Sequence, residues 1–206
     1  MLKYLVFLGA AVNIWGAFFY IRDTLRGETK PNRATWLMWS IAPLIATVAA
    51  LSQGVGWAVL PVFMAGFGPL LIFIGSFVNR NSYWKLGALD YGCGALSALA
   101  LVLWGITKEP NIAIAFAIAS DGLAAFPTLI KSWKHPETES VVAYTTGLFN
   151  ALTSFAAIKL WGFSELAFPI YLVIANSSLI FAVWRRKFAG IFEQSKAKSW
   201  KDRAAN

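Results

Sequence analysis

Apolar residues along this chain of 206 gather into seven long stretches separated by short polar segments. They are residues 4–21, 34–52, 57–78, 87–106, 112–130, 142–161 and 166–184. Each holds roughly 20 residues, the length of helix that crosses about 30 Å of hydrocarbon. The pattern predicts an all-α membrane protein with seven transmembrane helices. A hydrophobic share of 58%, a mean hydropathy of +0.59 and ten Trp point the same way, since an ordinary soluble core needs less. Lys3 followed by an apolar run and Ala10-Ala11 has some look of a cleaved leader. The run is long, however, and the positive charge of Arg22 follows it, so the stretch is expected to be the first helix.

Charge then sets the expected orientation. Arg22, Arg26, Lys30, Arg33, Arg80, Lys85, Lys131, Lys134, Arg185, Arg186, Lys187, Lys196, Lys198, Lys201 and Arg203 lie in the loops after odd-numbered stretches and in the tail. Only Lys3, Lys108 and Lys159 of the 18 basic residues fall on the other side. Short loops rich in Lys and Arg stay cytoplasmic, so the N-terminus is expected outside and the C-terminus in the cytoplasm. The net charge of +8 is thereby accounted for by topology, with no nucleic acid as a partner. A multi-pass protein of the plasma (inner) membrane is expected.

The two halves of the chain also repeat each other. Tyr20-Ile21-Arg22 followed by Gly27-Glu28-Thr29-Lys30 matches Leu129-Ile130-Lys131 followed by Pro136-Glu137-Thr138-Glu139, 109 positions on. Ala58-Val59-Leu60-Pro61-Val62-Phe63 matches Leu166-Ala167-Phe168-Pro169-Ile170-Tyr171 at 108. Such duplication is common in carriers. It predicts a 3+1+3 layout: residues 1–80 as a first three-helix repeat, 81–110 as a linker helix, 111–185 as a second parallel repeat, and 186–206 as a basic tail. The tail alternates Phe188, Ile191, Phe192 and Trp200 with basic residues, which suits a segment lying on the membrane surface.

Phe126-Pro127-Thr128-Leu129-Ile130-Lys131-Ser132-Trp133-Lys134, with Glu137-Thr138-Glu139-Ser140 after it, resembles the signature of the SWEET/PQ-loop superfamily of membrane proteins. The resemblance is to a divergent member: Thr128 stands where the family has glutamine, and Phe18-Phe19 occupies the dipeptide position of the first copy. The 3+1+3 layout is also similar to that of PnuC-type vitamin transporters. The resemblance implies a midplane solute site between the repeats and, at Asn176, a solute-contacting asparagine on the third helix of the second repeat. The position 108 earlier is Gly68, which breaks that pair.

Individual residues add chemistry to this frame. Asp121, in the middle of the fifth stretch, is the one acid far from a helix end; a buried acid there can hold a proton, a cation or a solute hydroxyl, or tie helices together. Asp90 lies close enough to the interface to reach water. Asn13 stands 108 positions before Asp121 and is expected to face it. Thr146, Asn150 and Thr153 form one helical stripe, able to line a cavity or to bond between helices. Trp36 and Trp39 share a face and suit either stacking on a flat ligand or anchoring at the interface. Pro127 and Pro43 remove backbone hydrogen bonds within helices and suit gating; Pro61, Pro69 and Pro169 can bend their helices too, and the alternative for any of these prolines is that it only shapes packing. Gly66 and Gly68 suit close helix contact.

Other functions lack their chemistry. Cys93 and His135 are the single cysteine and histidine, so no Cys/His metal centre is expected. No phosphate loop, paired acids or catalytic triad is present, and the last stretch lacks the lysine a retinal protein requires. The expectation is a non-enzymatic small-solute transporter without cofactors, a possible homo-oligomer whose other partner is the lipid bilayer. The alternative is a receptor or interaction protein that uses the same bundle without moving solute.

Overall fold

A computed structural model describes the backbone of residues 2–107 and 109–204, with side chains from Lys3 to Arg185 apart from residues 100, 101, 104 and 108. Among the described residues the protein is all-helical, without strands. The α-helices are α1 (Leu5–Leu25), α2 (Arg33–Ser52), α3 (Leu60–Gly75), α4 (Ala88–Thr107), α5 (Pro110–Lys134), α6 (Val141–Ser154) and α7 (Phe163–Ala204). The side chains of the expected surface segment from Phe188 onward lie outside the described residues.

Among the described residues, five helices are long and apolar enough to cross a membrane: α1, α2, α3 with the turn before it, α5, and Phe163–Arg185 of α7. Several such helices mark a multi-pass membrane protein. The pattern of apolar stretches predicts seven, and α6 shows why length matters. It has 14 residues, about 21 Å at 1.5 Å per residue, well short of the hydrocarbon thickness. Successive turns at residues 155–157 end it before the expected boundary.

Local chemistry sets the helix ends. Gly27, at φ 82°, takes the left-handed conformation that closes α1. Asn32 then caps α2, its Oδ1 accepting from the Thr35 amide at 3.3 Å. The Asp90 carboxylate accepts from the Gly87 amide at 2.7 Å and from Asn32 Nδ2 at 2.5 Å. This back-bond over the first turn of α4 buries Asp90, where the sequence suggests contact with water. Pro110 opens α5, at a position where its missing N–H costs no helical bond.

In the bundle, α3 packs on both α1 and α2, and α7 on both α5 and α6. Between these groups α1 lies on α6 and α2 on α5, while α4 packs on α5 and α2. The α1–α6 contact is close because α1 offers glycines to α6 threonines. A Cβ at Gly16 would lie 1.8 Å from Thr146 Oγ1, and one at Gly9 2.4 Å from Thr153 Oγ1. Gly16→Ala is therefore expected to cost about 1–3 kcal/mol by overpacking, measured by thermal unfolding in detergent. Adding Thr146→Ala should recover only part, because the Thr146 Cβ is itself 2.7 Å from the new atom. An unchanged melting temperature would mean that α1 and α6 separate freely.

Candidate functional site

A cavity of about 70 Å³ lies at the centre of the bundle, room for on the order of five waters. It borders two buried clusters. One is mostly aliphatic, around Ala42, Ala46, Ile114 and Ala117 with Phe168; the other is aromatic, around Tyr20, Trp36, Trp39 and Tyr144. The polar groups on the cavity wall come from five helices: Asn13 of α1, Trp36 and Trp39 of α2, Asp121 of α5, Tyr144 and Asn150 of α6, and Asn176 of α7. From α3, Gly68 lines it.

Five of the six solute-binding candidates read from the sequence, Asn13, Trp39, Asp121, Asn150 and Asn176, thus share one wall. Thr146 does not line it. Its hydroxyl donates to Val142 O at 2.9 Å and its side chain packs over Gly16 of α1, where the missing Cβ leaves room for it. Gly66 does bring helices together: a Cβ there would meet Ser40 O of α2 at 2.9 Å. Gly68 instead makes room for the Asn13 amide, whose Oδ1 would lie 2.7 Å from an added Cβ.

Anchoring at the lipid boundary does not describe the tryptophans. Trp36 is 2% and Trp39 8% exposed. Their rings meet edge to face at 5.1 Å, and Trp36 stacks on Tyr144 at 6.5 Å. The period of α2 permits an inward or an outward face, and burial selects the inward one. The Trp39 indole donates to Asp121 O at 3.2 Å and Thr35 Oγ1 donates to Ala124 O at 2.8 Å. Both acceptors lie on the turns before Pro127. That proline lacks the N–H that would bond the Leu123 carbonyl, so α2 side chains brace α5 beside its proline break. Pro43 is likewise buried inside α2, and its carbonyl accepts from Thr47 Oγ1 at 2.8 Å.

Asp121 is the one ionisable acid or base on the cavity wall among the described residues apart from the phenol of Tyr144. Its Oδ2 accepts from the Tyr171 hydroxyl at 2.6 Å, a partner that sequence reading did not single out for this role. Asn150 holds Pro61 O through Nδ2 at 2.8 Å, and Asn176 donates back to Leu172 O at 2.8 Å. Oδ1 of Asn13 and Oδ1 of Asn150 are buried and without a hydrogen-bond partner among the described residues. Such acceptors are costly unless met by water or ligand.

Tyr144 also belongs to a second polar group at one end of the cavity. Glu139 Oε2 accepts from Tyr144 at 2.7 Å and from Tyr20 at 2.9 Å, while Oε1 accepts from Lys131 Nζ at 2.6 Å. Lys131 donates further to Lys30 O, and the Lys30 amide donates to Thr138 O at 3.0 Å. The acid and the lysine are 7% and 2% exposed. Lys131 is thus a buried ion-pair member, not only one of the loop charges that set orientation. The spacing of eight between Lys131 and Glu139 gives no helical signal, since a turn at Pro136–Thr138 folds the chain back between them.

No protein-family model matches this chain, and neither a curated protein nor a solved structure is significantly similar to it, so its site is read from its own residues.

Proposed function

We propose that this protein is a small-solute membrane transporter of SWEET/PQ-loop type, with the central cavity as its solute site. The observation that carries the reading is the origin of the cavity wall. It lies between the α1–α3 and α5–α7 groups, and the sequence supplies it from positions 108 apart: Asn13 and Asp121, Trp36 and Tyr144, Trp39 and Gly147, Gly68 and Asn176. A site between related halves suits alternating access, in which each half rocks against the other. In this proposal α4 also crosses the bilayer, and the short α6 does so together with the turns at residues 155–157 that follow it, giving seven spans in a 3+1+3 arrangement with the N-terminus outside.

The wall suits a solute that offers flat apolar surface to Trp36, Trp39 and Tyr144 and hydrogen-bond donors to the asparagine oxygens and Asp121. The Glu139 group closes one end, and breaking its bonds to Tyr20 and Tyr144 is the change that opens it. Pro127 and Pro43 give α5 and α2 the places to bend.

The test is flux. Purified protein is screened for thermal stabilisation by sugars, amino acids, nucleosides and vitamins, and each stabilising solute is then followed into proteoliposomes. Uptake that equilibrates across the vesicle and exceeds that of protein-free liposomes is the expected result. Binding without equilibration would overturn transport in favour of a receptor.

A further inference from the structure

A second polar feature lies away from the cavity, at the end of α3. Two adjoining depressions share Tyr83, Trp84 and Lys85. The larger, about 460 Å³, adds Lys30, Arg80 and Asn81; the smaller, about 360 Å³, adds Arg33. Among the described residues, four cations and no carboxylate therefore line one groove.

Arg33 is already engaged. Its guanidinium donates to Ser76 O at 2.6 Å and stacks on Phe77 and Tyr83 at 4.3 and 4.5 Å. The side chains of Lys30, Arg80 and Lys85 are exposed and pair with no acid among the described residues. Like charges held this close repel one another, and a mobile loop would let them spread apart. This loop is held. Ser82 donates to Thr29 O, the Trp84 amide donates to Pro31 O at 3.1 Å, and Asn79 Nδ2 donates to Leu25 O at 3.0 Å. Underneath, the Trp84 ring rests on Lys131 at 5.2 Å.

Beside the groove stand Phe77 and Val78, 52% and 72% exposed, just past the end of α3. An aromatic and aliphatic edge next to fixed cations, at the mouth of a candidate span, suits a molecule that is anionic at one end and apolar at the other. We propose that the groove binds the phosphodiester headgroup of an anionic phospholipid, with Lys30, Arg80 and Lys85 around the phosphate and the acyl chain along Phe77 and Val78. The proposal stands whether or not the central cavity moves a solute.

The test uses the full chain in detergent, titrated with phosphatidylglycerol, with phosphatidylcholine of the same acyl chains, and with inorganic phosphate. Thermal stability and lipid retention in native mass spectrometry are read together. Phosphatidylglycerol should be retained and should raise the melting temperature more than phosphatidylcholine. Lys85→Gln and Arg80→Gln should each weaken its binding about fivefold, the worth of one basic residue at an anionic surface. Arg26→Gln, which removes an exposed charge outside the groove, should leave binding unchanged. Equal losses in all three variants would overturn the site in favour of diffuse attraction. Equal stabilisation by the two lipids, or by inorganic phosphate alone, would overturn the assignment to a lipid.

Discussion

Glu139→Ala is expected to lower the free energy of unfolding by about 3–5 kcal/mol, the usual consequence of leaving one partner of a buried ion pair alone. Three donors lose their acceptor at once: Lys131 Nζ and the hydroxyls of Tyr20 and Tyr144. Lys131 keeps Lys30 O, but a carbonyl dipole does not neutralise an ammonium. The removal of a buried side chain adds a cavity penalty of its own. Replacing both charges together, Lys131→Met with Glu139→Leu, should recover only part of the loss, because it removes the unpaired charge but leaves the Tyr20 and Tyr144 hydroxyls without their acceptor. Thermal melts of the two variants and the wild type check this. A single variant as stable as wild type would mean that water reaches Lys131.

The second large effect concerns the proposed transport rather than stability. Asp121→Asn is expected to reduce solute flux about tenfold, which corresponds to loss of roughly 1.4 kcal/mol of hydrogen bonding to the solute. The fold should survive, since Asn retains an oxygen that can accept from Tyr171, and Trp39 bonds the backbone oxygen of residue 121 rather than its side chain. Flux and melting temperature must therefore be measured on the same preparation. Reduced flux at unchanged stability supports a direct role. Unchanged flux would remove Asp121 from the mechanism, and equal loss of both would make it a packing residue. Tyr171→Phe should give a smaller defect, as it removes one hydrogen-bond partner of the Asp121 carboxyl group and leaves the group itself in place.

Much of the helical architecture is legible in the sequence because an apolar run of about 20 residues has few other uses. The cavity polar groups were legible for a related reason. Asn13, Asp121, Asn150 and Asn176 stand inside apolar stretches, and a polar group there turns to the protein interior or to a cavity. Thr146 obeys the same logic but finds its contacts on α1, where Gly16 leaves room for it. Hydropathy has no access to that choice, which depends on a glycine 130 positions away in the chain.

Trp36, Trp39, Lys131 and Glu139 mark the limit more sharply. Tryptophan is at home both in cores and at the lipid interface, and a lysine in the last turn of a helix ordinarily reaches water. Which alternative holds depends on what arrives opposite. Tyr144 meets Trp36, and the turn at Pro136–Thr138 delivers Glu139 to Lys131. By itself the sequence determined which segments are helical, because that depends on the length and polarity of contiguous segments, though not where α6 ends. Only the tertiary structure decided which of their faces meet, which charge is buried and where the cavity lies, because those depend on pairings between distant segments that no local period encodes.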